Sequence, residues 1–272
     1  MESLKNWAKP FLTQRSNDIM PALFVGHGSP MNAITDNEYT QAWSAIGSSM
    51  EKPKAILVVS AHWLTYGTHV TAMEKPRTIH DFGGFPRPLF EVQYPAPGSP
   101  EMAEETKQHV KLAQIQLDHE WGLDHGTWSV LVKMFPKADI PVFQLSIDYS
   151  KPLSWHYELA KELAFLRSKG VLIMGSGNIV HNLRMVDFQG KGGYDWAVDF
   201  DETAKKLLLE NNHQELIQFE KLGKEALLSI PTTEHFIPLI YTMALKNENE
   251  QVSFPIEGLD LGSISMRSVL FN

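Results

Sequence analysis

The feature that most constrains this chain is a set of short apolar runs, each closed off by glycine, proline or polar residues: Pro21–Gly26, Ala55–Ala61, Ile140–Ile147 and Val171–Met174. They are rich in Val, Ile, Leu and Phe. Continuous apolar runs of this length suit strands covered on both faces, because a strand with one wet face alternates apolar and polar residues. Between and after them come stretches with helical periodicity, at Glu38–Met50, Pro100–Ala113, Pro152–Ser168 and Trp196–Glu210. Ser99-Pro100-Glu101 reads as a helix start, with a capping serine and a proline at the first helical position. Ser150-Lys151-Pro152 is a looser version of the same signal, and Gly170 is placed to end the helix before Val171. Strand–helix alternation predicts an α/β fold: a single domain whose mostly parallel or mixed central sheet is flanked by helices on both faces. Residues 1–20 read as a polar lead-in and residues 21–272 as the one domain.

Composition excludes several kinds of chemistry. The chain has no cysteine, which removes disulfides, thiolate metal sites, iron–sulfur clusters and cysteine nucleophiles. A net charge of −8 argues against nucleic acid as a partner, since nonspecific binding needs a basic surface. No apolar run approaches the ~20 residues that span a bilayer, and the N-terminus lacks the layout of a secretory signal. The expectation is therefore a cytoplasmic protein without a membrane partner, a monomer or small homo-oligomer.

In a doubly covered sheet, ligands bind beyond the carboxyl ends of the strands, so the residues just after the strands carry the functional reading. Of 11 histidines, several stand there. His27 follows the first strand in Gly26-His27-Gly28-Ser29-Pro30, and His62 the second in Ser60-Ala61-His62-Trp63. His181 comes after the fourth in Gly175-Ser176-Gly177-Asn178-Ile179-Val180-His181. His235 sits at a helix start in Thr232-Thr233-Glu234-His235-Phe236, and His125 lies in Asp124-His125-Gly126-Thr127-Trp128. Histidines at the ends of different strands of one sheet converge, which is how such a fold assembles a metal site from distant residues. Each ligand imidazole needs an acceptor on its second nitrogen, for which Asp81, Asp124 and Glu234 are candidates. A single strand-end histidine is more often a hydrogen-bonded structural residue, and the case rests on there being several. His69, His80, His109, His119, His156 and His213 keep the structural reading, with His109, His156 and His213 expected to face solvent.

Other motifs carry less. Gly175-Ser176-Gly177 starts like a dinucleotide loop, but Val180 breaks G-x-G-x-x-G. No G-x-x-x-x-G-K-[ST] occurs, and neither Ser29 nor Ser176 sits in a G-x-S-x-G elbow. Asp81-Phe82-Gly83-Gly84-Phe85-Pro86 is a tight aromatic turn that either only reverses the chain or walls a pocket for a planar ring.

The segments PALFVGHGSPMN (21–32), VSAHW (59–63), IHDFGGFP (79–86), YPAPGSP (94–100), GLDHGTW (122–128), PVFQLSID (141–148), GSGNIVHNLR (175–184) and GSISMRSV (262–269) occur in this order. In them the chain resembles the class III extradiol ring-cleavage dioxygenases, in particular their bacterial and plant DOPA 4,5-dioxygenase branch. The resemblance implies an enzyme that opens a DOPA-like or other substituted catechol with O2, giving a semialdehyde acid. It implies metal ligands at His27, His62 and His235, with Fe(II) as the working metal and Zn(II) able to fill the same site. It implies His181 as acid/base, or as a fourth ligand, and His125 as a second catalytic histidine. Asp81, Phe85 and Trp128 are then expected to line the substrate pocket. Better-studied relatives outside the branch use two histidines and one glutamate, so Glu234 stands beside His235 as the alternative third position. Two rival readings share the scaffold: a zinc hydrolase of small amides or esters, and a binding protein without catalysis.

Overall fold

The computed structural model describes residues 19–189 and 192–272; residues 1–18 of the expected lead-in lie outside them. The strands are β1 (Ala22–Gly26), β2 (Ala55–Thr65), β3 (His69–Thr71), β4 (Gln116–Asp118), β5 (Val142–Asp148), β6 (Val171–Gly177), β7 (Val252–Ile256), β8 (Leu259–Asp260), β9 (Ile264–Ser265) and β10 (Ser268–Phe271). Eight of them form one sheet in the order β4-β3-β5-β2-β6-β1-β10-β7, and β8 pairs with β9 apart from it. The four expected runs are the parallel centre, β5-β2-β6-β1. β10 adds antiparallel to β1 and β7 antiparallel to β10, while β3 meets β5 antiparallel. The sheet is therefore mixed around a parallel core.

The helices are α1 (Glu38–Ser49), α2 (Arg87–Phe90), α3 (Pro100–His109), α4 (His125–Met134), α5 (Leu153–Glu162), α6 (Ala164–Ser168), α7 (Asp195–Leu209), α8 (His213–Ile217), α9 (Lys224–Ser229) and α10 (Ile237–Ala244). The period of two in a strand sends alternate side chains to opposite faces. Ala22, Phe24, Leu57, Val59, Phe143, Leu145 and Ile173 enter one core with Leu159, Leu166, Phe200, Leu239 and Ile240 from α5, α6, α7 and α10. Leu23, Val25, Ile56, Val58, Leu172 and Met174 enter the other with Trp43, Ile46, Trp128 and Leu131 from α1 and α4. Each fully buried Leu, Ile or Phe contributes about 1.5–3 kcal/mol, so the apolar residues on the two faces hold the centre of the sheet.

Local departures from expectation have visible causes. β2 continues four residues past Ala61, and its ladder with β5 shifts register between Val59 and Leu64. The helix expected over 100–113 stops at His109, because Val110 turns to extended backbone and is buried in the first core. Ser99 occupies the N-cap of α3 without a side-chain capping bond, although Pro100 stands at the first helical position as expected. The stretch 152–168 is two helices meeting at Leu163. Gly170 comes next with φ +85°, the left-handed turn that lets β6 start. His156, expected at the surface, is fully buried; its Nδ1 lies 3.1 Å from the Tyr241 hydroxyl. Among the described residues, no helix is long and apolar enough to cross a membrane.

Candidate metal centre

Three histidines converge at the carboxyl end of the parallel strands. His27 directly follows β1, on the same face as Leu23 and Val25. His62 lies inside β2, at the register shift rather than after the strand end, on the face of Ile56, Val58 and Ser60. Such an irregularity bends a strand and re-aims its side chains. His235 comes from the opposite side, in the turn that enters α10. Its carbonyl accepts a hydrogen bond from the Asn178 amide at 2.9 Å. A Cβ on Gly177 would stand 2.2 Å from that oxygen, so the end of β6 approaches closely only as glycine.

His27 Nε2 and His62 Nε2 are 3.2 Å apart. The His235 ring centroid is 5.4 Å from that of His27 and 5.0 Å from that of His62. One nitrogen from each ring lies within 4.8 Å of the others. Two nitrogens bound at about 2.1 Å to one ion stand roughly 3.0–3.5 Å apart, which is the spacing of His27 and His62. Burial, then the charge of the neighbouring histidines, holds His27 and His235 well below the ordinary imidazole pKa. Burial and His125 lower His62 to about 3, against the opposing pull of Asp81. All three rings are thus neutral, the form that donates a lone pair to a metal. Their outer nitrogens have acceptors nearby: Ser176 Oγ at 3.0 Å from His27 Nδ1, Glu234 Oε1 at 3.3 Å from His235 Nδ1, and Asp81 Oδ2 at 3.8 Å from His62 Nδ1. The donor set fits a first-row divalent ion, with nitrogen ligands inside and oxygen acceptors behind them.

Two further histidines flank this triad. The His181 ring stacks on His235 with centroids 3.5 Å apart and planes 9° apart. Burial lowers His181 to about 4, partly offset by Glu234. His125 is the first residue of α4, where Asp124 caps the helix, and its ring lies 3.8 Å from that of His62. Asp81 holds His125 at two points: it accepts from the backbone amide at 2.8 Å and sits 2.9 Å from Nδ1. Burial alone would raise the Asp81 carboxyl; the bonds and charge of His125 outweigh it and bring it below its ordinary value.

Of the candidate acceptors, Asp81 and Glu234 stand beside the rings, and Asp124 does not. Asp124 is fully buried and accepts from Ser60 Oγ, Gln144 Nε2 and the Thr127 amide. The expected pocket residues divide in a similar way. Trp128 is fully buried, its indole N–H donating to the Ile79 carbonyl, behind His80 and Phe82. Phe85 packs edge-on against Phe82. The ring that meets His125 is Phe82, edge-to-face at 5.4 Å, a residue that sequence reasoning alone does not single out.

Comparison with known proteins finds a family and relatives for the chain. Residues 21–260 match the family described as the catalytic LigB subunit of aromatic ring-opening dioxygenase. The chain is 50% identical to the 4,5-DOPA dioxygenase extradiol of Escherichia coli (strain K12), over 93% of this chain and 95% of that protein. It is 36% identical to the protein of the same name from Beta vulgaris, over 94% of this chain and 97% of that one. The crystal structure of an uncharacterized protein from Escherichia coli K12 superimposes with a TM-score of 0.82 at 44% identity, covering 93% of this chain and all of that one. The chain therefore belongs to the LigB family of ring-opening, class III extradiol dioxygenases, and it is an enzyme of that kind.

Proposed function

We propose that this enzyme opens DOPA-like or other substituted catechols in the 4,5-extradiol manner, using Fe(II) held by His27, His62 and His235. The observation that carries the ligand assignment is the convergence of those imidazoles, with one nitrogen of each within 4.8 Å of the others. Bound iron would supply the site at which electron density passes from the catechol to O2; Zn(II) suits the same ligands but has no redox chemistry.

His181 acts as the acid/base: it takes a catechol proton as substrate binds and returns a proton as the ring opens. Its stacking on His235 supports this role over that of a fourth ligand, because an imidazole donates in its own plane. Two nearly parallel rings with centroids 3.5 Å apart are poorly aimed at one ion. With Nδ1 turned to Asp81, His125 offers Nε2 to a substrate or oxygen atom. Asp81 keeps that imidazole oriented. Phe82, with Phe85 against it, supplies an apolar wall beside His125 for the flat ring.

The test is anaerobic loading with Fe(II), then oxygen and a panel of catechols, watching for a yellow ring-opened product. Product with Fe(II) and none with Zn(II) supports the proposal. Turnover of amides or esters by the zinc form, with no oxygen uptake by the iron form, would replace it with the hydrolase reading.

A further inference from the structure

Ser176, the next-to-last residue of β6, is fully buried and touches two parts of the site at once. Its hydroxyl donates to the Gly126 carbonyl at 2.5 Å and lies 3.0 Å from His27 Nδ1. A hydroxyl has one hydrogen, and a carbonyl only accepts. The serine proton is therefore committed to Gly126. The contact with His27 must then use an N–H on Nδ1, donated to a lone pair of Oγ. That makes His27 the Nδ1–H tautomer, with its lone pair on Nε2, the atom 3.2 Å from His62 Nε2.

The other end of this chain of bonds lies in the first turn of α4, next to His125. Gly126 is pressed onto the sheet there: a Cβ would stand 2.6 Å from Ser60 Oγ and 2.9 Å from the His62 ring. Ser60 pairs with Ser176 across β2 and β6, and its hydroxyl holds the Asp124 cap at 2.7 Å. Adjacent serines thus seat one helical turn on the sheet, and one of them also sets a histidine.

We infer that Ser176 is a positioning residue that fixes the metal-directed tautomer of His27 and ties that ligand to the α4 turn carrying His125. The inference rests on the reading of His27 as a ligand; its tautomer half can be measured without metal. Ser60 still anchors α4 when Ser176 is changed, so the fold has a second hold.

The experiment compares wild type, Ser176→Ala, Ser176→Thr and Ser60→Ala. Histidine ring nitrogens are observed by NMR in the metal-free protein, and Zn(II) affinity is measured by competition with a chelator. Wild type should show His27 in the single Nδ1–H form. Ser176→Ala should show exchange between tautomers and bind Zn(II) about 10–100-fold more weakly, the usual effect of losing such a partner. Ser176→Thr keeps the hydroxyl and should restore the single form. Ser60→Ala should lose stability yet leave the His27 signal unchanged. A single Nδ1–H form in Ser176→Ala, with Zn(II) affinity within twofold of wild type, overturns the inference. If Zn(II) leaves the wild-type His27 signals unmoved, the ligand assignment fails, and the metal-free tautomer comparison still decides the part played by Ser176.

Discussion

Gly177→Ala is the sharpest test of how His235 is held. Gly177 is not among the positive-φ glycines, so alanine suits its backbone and the cost comes from space alone. The added Cβ would meet the His235 carbonyl oxygen at 2.2 Å and Pro238 Cγ at 3.1 Å. Relief to ordinary contact needs a shift of roughly 1 Å. The atom in the way is backbone, already bound to the Asn178 amide, so the whole turn bearing His235 must move. Overpacking of this kind costs about 1–3 kcal/mol, or roughly 2–10 °C in melting temperature for a chain of this size. Displaced by about half a metal–nitrogen bond length of about 2.1 Å, His235 would be poorly placed to close the proposed triad, and Zn(II) affinity should fall at least tenfold. The assays are thermal unfolding of the metal-free protein and chelator competition for Zn(II). A lower melting temperature with Zn(II) affinity within twofold of wild type would refute the claim that this close approach positions His235.

The geometry also sets three further outcomes. His181→Ala should keep its Fe(II) and lose about 10²–10⁴-fold in turnover, the usual contribution of a positioned acid/base; iron analysis and oxygen uptake separate this from ligand loss, which added Fe(II) would partly rescue. Phe82→Ala should raise KM for substituted catechols several-fold while metal content stays unchanged, whereas equal loss of both would make the ring structural. Burial lowers His156 to about 4, against an opposing pull from Asp148. The unfolded chain, with an ordinary histidine near 6.5, takes up that proton first. Stability from the neutral ring is therefore complete above about pH 6.5 and is lost as pH falls towards 4, by about 3 kcal/mol at most and roughly 1 kcal/mol at pH 5.5. Urea unfolding of His156→Gln should show a pH 7.5-to-5.5 slope shallower than wild type by about that last amount; an unchanged slope would mean that His156 takes up its proton at the same pH in the folded and the unfolded chain.

Much of the site is legible in the sequence because the rule that finds it is topological. Parallel strands deliver the residues at their carboxyl ends to one edge of the sheet, so His27 and His181 can be placed from apolar runs alone. His235 shows only as a histidine at a helix start, since it arrives by a turn with no strand before it. Direction is harder to read than position. Phe82 and Phe85 sit in the same turn, and which ring meets His125 depends on backbone angles that the Asp-Phe-Gly-Gly-Phe order does not specify. In the sequence Ser176 stands in a broken dinucleotide-loop motif and outside any nucleophile elbow; its partners, Gly126 and His27, lie 50 and 149 residues away.

The fold shows the same division. The central strands declare themselves because most residues on both faces are apolar. β3 and β4 are three residues each, too short to carry a period, and β7 contains Pro255, which argues against a central strand. Its place at the sheet edge, bonded to β10 alone, removes that objection. His156 is the instructive error, because the signal for its burial is present in the sequence. Its charged neighbours Glu158 and Lys161 suggest the surface. Yet Leu153, His156 and Ala160 succeed one another at spacings of three and four, the repeat of a single helical face, and all are buried. On a helix the residues beside a position in sequence belong to other faces, so the local charge says little about His156. The residues three and four away place it in the core, where a histidine then needs the Tyr241 hydroxyl as its partner.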